Sequence, residues 1–94
     1  MSKRDEYIEK MKLQLDELDA KMDNLEAKAK VAKDDMRAKY KEEMAMLREK
    51  SKLAKGKLQE VKAAGEDKWE SVVTEMERVR DAVIHSYNYF KSQL

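Results

Sequence analysis

Apolar residues recur every eleven positions along the middle of the chain: Leu25, Met36, Leu47, Leu58 and Trp69, with Ala29, Ala32, Tyr40, Ala54 and Gly65 filling the turns between. Eleven residues make three helical turns at about 3.67 residues each, so this spacing holds one face in line along a straight or slightly right-handed helix. Ahead of it, Ile8, Met11, Leu15, Leu18, Met22 and Leu25 alternate steps of three and four, which is the narrow seam of a heptad coiled coil. The two patterns join at Leu25 with no Gly or Pro between them. They predict one long helix over residues 3–64, capped at its start by Ser2 and about 90 Å long at 1.5 Å per residue.

Punctuation comes late. Gly56 stands among good helix formers, where it costs about 1 kcal/mol without ending the helix. The stretch Ala63-Ala64-Gly65-Glu66-Asp67-Lys68-Trp69-Glu70 is stronger: Gly65 suits the left-handed residue that ends a helix, and Asp67 with Glu70 has the spacing of a capping box. This places a hinge at residues 64–67; a helix running straight through is the alternative, because Gly65 also falls on the eleven-residue track. Beyond the hinge, Trp69, Val72, Val73, Met76, Val79, Val83, Tyr87, Phe90 and Leu94 predict a second amphipathic helix over residues 67–92. A helix of that length cannot bury its stripe alone. It either folds back on residues 40–62 or packs between chains.

Composition narrows the class. Charged residues make up 44% of the chain, with two Gly, no Pro and no Cys, as in long helices and coiled coils. Leu, Ile, Val and Phe together number 17, too few by themselves for a globular core at this length. The signs are segregated: residues 1–27 hold five basic and eight acidic groups, residues 28–62 twelve and six, and residues 63–94 four and six. Folding back therefore sets an acidic second helix on a basic middle. The acidic N-terminal seam is then left for the basic middle of another molecule, which predicts an antiparallel homo-oligomer. Within helices, Glu6–Lys10, Glu17–Lys21, Glu26–Lys30 and Asp35–Lys39 are acidic-then-basic pairs four apart. The six methionines after Met1 (Met11, Met22, Met36, Met44, Met46 and Met76) read as adaptable core, or as an adaptable binding surface. No leader-like apolar segment or membrane span is present, which points to a soluble, cytoplasmic protein.

Candidates for chemistry are few. His85 is the single histidine, with Asp81 and Tyr89 one turn away on either side, and reads as a solvated helix residue. Ser71, Ser86 and Ser92 lack a histidine base or glycine-rich elbow, and Asp34-Asp35 lacks the glycine and distal Glu of a calcium loop. No catalytic, metal or cofactor-binding set is assigned. Twelve cations from Lys28 to Lys62 could follow phosphates, but six interspersed acids, the preference for Lys over Arg and the lack of a groove-reading fold argue against nucleic acid. The same lysines, with Trp69, Tyr87, Tyr89 and Phe90 as interfacial anchors, suit an anionic membrane surface.

Arg37-Ala38-Lys39-Tyr40-Lys41-Glu42-Glu43, Leu47, the run from Lys52 to Leu58 and Ala64-Gly65-Glu66-Asp67-Lys68-Trp69-Glu70 resemble a widespread group of small bacterial coiled-coil proteins. Its members are often described as stress-response proteins. The resemblance implies a bacterial coiled coil with a stress-related role, and supplies no site residues. The eleven-residue period is also similar to apolipoprotein and desiccation-protection helices.

The sequence thus predicts an all-α fold: a long coiled-coil helix followed by a shorter amphipathic one, as a hairpin or an oligomeric bundle. The expected function is that of a non-enzymatic structural or interaction protein; binding to anionic membranes or protection of client proteins is the alternative. The packing and oligomer seam consists of Ile8, Met11, Leu15, Leu18, Met22, Leu25, Met36, Leu47 and Leu58, with Trp69, Val72, Met76, Val79, Val83 and Phe90.

Overall fold

A computed structural model describes residues 2–94 as three α-helices: α1, Lys3–Lys30; α2, Asp34–Ala63; and α3, Trp69–Gln93. Tyr7 near the start of α1 meets Trp69 at the start of α3, while Tyr40 near the start of α2 meets Phe90 near the end of α3. The helices therefore run up, down and up in a bundle measuring 51 × 20 × 17 Å.

The long helix expected over residues 3–64 is two helices. The chain leaves α1 at Lys30 and turns through Val31, Ala32 and Lys33. No local breaker causes this. A lone helix would leave its apolar face in water, whereas the turn lays the heptad seam on α2 and buries Met11, Leu15, Leu18, Met22, Leu25 and Ala29. Tightened bonds from the N–H groups of Val31 and Ala32 to the carbonyls of Lys28 and Ala29, both 3.3 Å, close α1. The Lys33 carbonyl opens α2 by accepting from the N–H groups of Met36 and Arg37. Lys28 and Lys30 in the last turn of α1, and Asp34 and Asp35 in the first turn of α2, each complement the helix dipole. At the start of α1, Ser2 Oγ accepts from the Asp5 N–H at 3.2 Å, the expected cap.

The second break falls at the expected hinge, by different chemistry. Ala64 leaves α2 in an extended conformation, so no left-handed residue is required, and neither glycine has positive φ. The N-cap of α3 is Lys68, with no side-chain cap bond, so Asp67 lies one residue too early to form a capping box with Glu70. The exposed i,i+4 pairs expected along α1 and α2 are likewise not formed among the described residues. Water competes effectively for such charges. Glu26 turns instead to α2.

Among the described residues, sixteen hydrophobic ones are buried in one continuous core. Half of them are Met11, Met22, Met44, Met76, Tyr40, Tyr87, Ala29 and Ala54, which is why counting Leu, Ile, Val and Phe alone underestimated the core. Each end of the bundle is closed by an edge-to-face aromatic pair: Tyr7 on Trp69 with centroids 5.7 Å apart, and Tyr40 on Phe90 at 5.6 Å. Arg4 lies 4.5 Å over the Trp69 ring, and the Tyr40 hydroxyl donates to the Gln93 carbonyl at 3.2 Å.

Candidate functional surface

The basic middle became α2, and its cations separate by face. On the α1 side, Arg48 Nη2 donates to Asp23 at 2.5 Å and Glu26 at 2.9 Å, and Lys55 pairs with Asp19. Ser51, the one buried polar residue among the described residues, donates to the other Asp19 oxygen at 2.9 Å. Partial burial pushes the Asp19 carboxyl up, but the hydrogen bonds from Lys55 and Ser51 outweigh it and hold the group below its ordinary pKa. Hydrogen bonds to Asp23 and Glu26 raise the pKa of Arg48. On the α3 side, Lys50 donates to Ser86 Oγ at 2.7 Å and Lys57 to Glu75 at 3.1 Å. Hydrogen bonds to Glu60 and Glu75 raise the pKa of Lys57. The acidic second helix thus does fold back on the basic middle. The acidic α1, expected to seek another molecule's middle, lies on its own.

The seam residues are drawn together inside one chain. Met11, Leu15, Leu18, Met22, Leu25, Leu47, Leu58, Met76, Val83 and Phe90 are buried, and Ile8, Met36, Trp69, Val72 and Val79 are half-buried against them. The unpartnered face from which an oligomer was inferred is therefore covered within the single bundle. Tyr7, which the seam omitted, belongs to it: its hydroxyl lies 3.5 Å from Glu77, and burial together with that carboxylate pushes its pKa up to about 12. Ser51 was also missed. Its position between Leu47 and Ala54 on the apolar face was the available signal.

Six large apolar side chains are exposed among the described residues: Leu13 on α1, Val31, Leu94 and, on α2 and α3, Met46 and Tyr89 at the groove between these helices with Leu53 further along α2. Met46, Leu53 and Tyr89 are 62%, 60% and 62% exposed. Met46 and Leu53 are seven apart on one face of α2, and Met46 shares with Glu43, Lys50, His85, Ser86 and Tyr89 a shallow groove of about 390 Å³. His85 is a surface residue there, as expected. Of the aromatic residues expected at a membrane interface, Tyr87 and Phe90 are core and Trp69 is half-buried under Arg4, leaving Tyr89 outside.

A second surface feature lies at the α1–α2 turn, where Val31 is 82% exposed among Lys28, Lys30 and Lys33. Among the described residues, no group of three His, Asp or Glu side chains is placed to hold a metal ion, and no helix is long and apolar enough to cross a membrane. Every buried side-chain nitrogen and oxygen described has a hydrogen-bond partner. The polar groups of this fold stitch helices together or face water. In comparisons with known proteins, no family model, curated protein or solved structure matches this chain.

Proposed function

We propose that this chain is a non-enzymatic helical interaction protein that receives an amphipathic helix of a partner protein in the outer α2–α3 groove. The supporting observation is that Met46, Leu53 and Tyr89, three of the six large apolar side chains exposed among the described residues, lie on the two helices that flank one groove. A docked helix would occupy the fourth position of a bundle, its apolar anchors on these side chains. Titrating the isotopically labelled protein with a model amphipathic helical peptide tests the reading by NMR. Shifts concentrated at Met46, Lys50, Leu53, His85 and Tyr89, abolished by Met46→Glu with Leu53→Glu, are expected. Shifts scattered over α1, or none, would refute it.

Exposed Val31 within a lysine cluster supports a second reading, end-on docking to an anionic membrane. Co-sedimentation with phosphatidylserine vesicles, weakened by Val31→Asp, tests it. A stress-related role belongs with either reading and rests on the sequence resemblance.

A further inference from the structure

We propose that the α1–α2 turn is an exchange point: residues 31–33 straighten, α2 continues into α1 as one helix, and α1 packs into the bundle of a second copy of this chain. The resulting dimer repeats the contacts of the single chain between two molecules. This inference concerns the face of α2 and α3 that α1 covers, so it stands apart from the outer groove.

Four observations carry it. First, the turn is built from residues that continue a helix readily, with neither Gly nor Pro. Val31, at φ −96° and ψ 8°, lies in the bridge region beside the helical one, and Lys33 has a helical φ of −60° and departs in its ψ of 149°, so straightening the two is mainly a rotation in ψ. Second, little holds the turn. Arg37 Nε donates to the Ala32 carbonyl at 3.0 Å, and Arg37 pairs with Asp34 at 3.2 Å across side chains that are 57% and 92% exposed. Such a pair in water contributes little, while the N–H groups of Lys33, Asp34 and Asp35 gain no backbone acceptor at the turn. A continuous helix would bond all three.

Third, the apolar face keeps phase across the turn. Leu25, Met36 and Leu47 are eleven apart, so a straightened helix presents the α1 and α2 seams on one side. Fourth, the register of the hairpin contains its own two-fold centre. The cross-pairs Asp19–Lys55, Asp19–Ser51, Asp23–Arg48 and Glu26–Arg48 are all centred within about one residue of Met36. Two antiparallel long helices with Met36 against the second copy's Met36 would therefore remake every one of these pairs between chains. Met36, only half-buried in the single chain, would gain cover.

The test is sedimentation equilibrium on the full chain from about 10 μM to about 1 mM, with circular dichroism on the same samples. Asp34→Pro locks the turn, because Pro suits the first position of α2 and Lys33 already has the extended conformation required before it, whereas a continuous helix would be broken there. Val31→Ala with Asp34→Ala removes the same ion pair but favours the continuous helix. The expected result is a dimer of twice 11.1 kDa at high concentration, reached at roughly tenfold lower concentration or less in the double-alanine variant. Asp34→Pro should remain monomeric and fully helical. Dimerisation of Asp34→Pro at the native concentration would overturn the proposal, as would a double-alanine variant that stays monomeric throughout. If Asp34→Pro loses helicity, the double-alanine result decides alone.

Discussion

Ser51 on α2 donates a 2.9 Å hydrogen bond to Asp19 on α1, and Lys55, one turn further along, takes the other carboxylate oxygen. This is the polar centre of the α1–α2 interface, set between apolar layers. Ser51→Ala should cost about 1 kcal/mol in urea unfolding at neutral pH. Asp19 has a lowered pKa in the folded state, so its contribution is present above the ordinary carboxylate value of 3.8 and is lost as pH falls below it through the folded value. Asp19→Asn should therefore lose less stability than the native chain between pH 5 and pH 2. Parallel acid limbs would show that the pairing contributes nothing.

Tyr7 behaves in the opposite sense. Its phenol is held neutral up to about pH 12, above the ordinary value of 10.0, so its contribution is whole below pH 10 and is lost between pH 10 and 12. Tyr7→Phe should flatten this alkaline loss relative to the native chain. Fluorescence of Trp69, the single tryptophan, reports unfolding at the same end of the bundle.

Leu15→Glu with Leu18→Glu separates a folding core from an assembly seam. Both positions are buried within the single chain, and an unpaired buried carboxylate costs on the order of 3–5 kcal/mol. The double variant should lose its helical circular dichroism. A fully helical variant of unchanged thermal stability would show that these leucines are not core.

Gly56→Ala should stabilise the protein by about 1 kcal/mol, raising Tm by roughly 4–8 °C, because Gly56 is interior to α2 and a Cβ there meets nothing. Gly65→Ala should change stability by less than about 0.5 kcal/mol. Its φ is not positive, and the added Cβ would approach only the movable carboxylate of Asp67, at 3.0 Å. A large loss from Gly65→Ala would show that this turn needs glycine.

Phe90→Ala should cost about 3–5 kcal/mol, since it removes a buried ring and the edge contact that closes the bundle over Tyr40. Thermal unfolding measures it. Tyr40→Phe, which keeps the ring pair and loses the bond to the Gln93 carbonyl, should cost nearer 1 kcal/mol.

The candidate surface was only partly legible. Met46 reads as a methionine of either core or surface, and Leu53 and Tyr89 sit off the main stripes, but periodicity cannot say that Met46 and Tyr89 become neighbours. That required the side-by-side placement of α2 and α3. The acidic-to-basic complementarity was visible in the sequence, whereas the assignment of Arg48 and Lys55 to α1, and of Lys50 and Lys57 to α3, depends on the rotation of α2 in the bundle.

Helical class, the seam residues, the Ser2 cap and the break near Gly65 follow from the sequence, because propensity, spacing and punctuation act over a few residues. The turn at Val31–Lys33 does not. Its residues favour a continuous helix as much as a corner, and the eleven-residue phase runs through it. The corner exists because the heptad seam finds its apolar partner in α2 and α3 of the same chain, and burial against that partner outweighs the helical hydrogen bonds lost at the turn. Which stretch of the chain covers the seam is decided by that non-local burial, which only the tertiary structure contains.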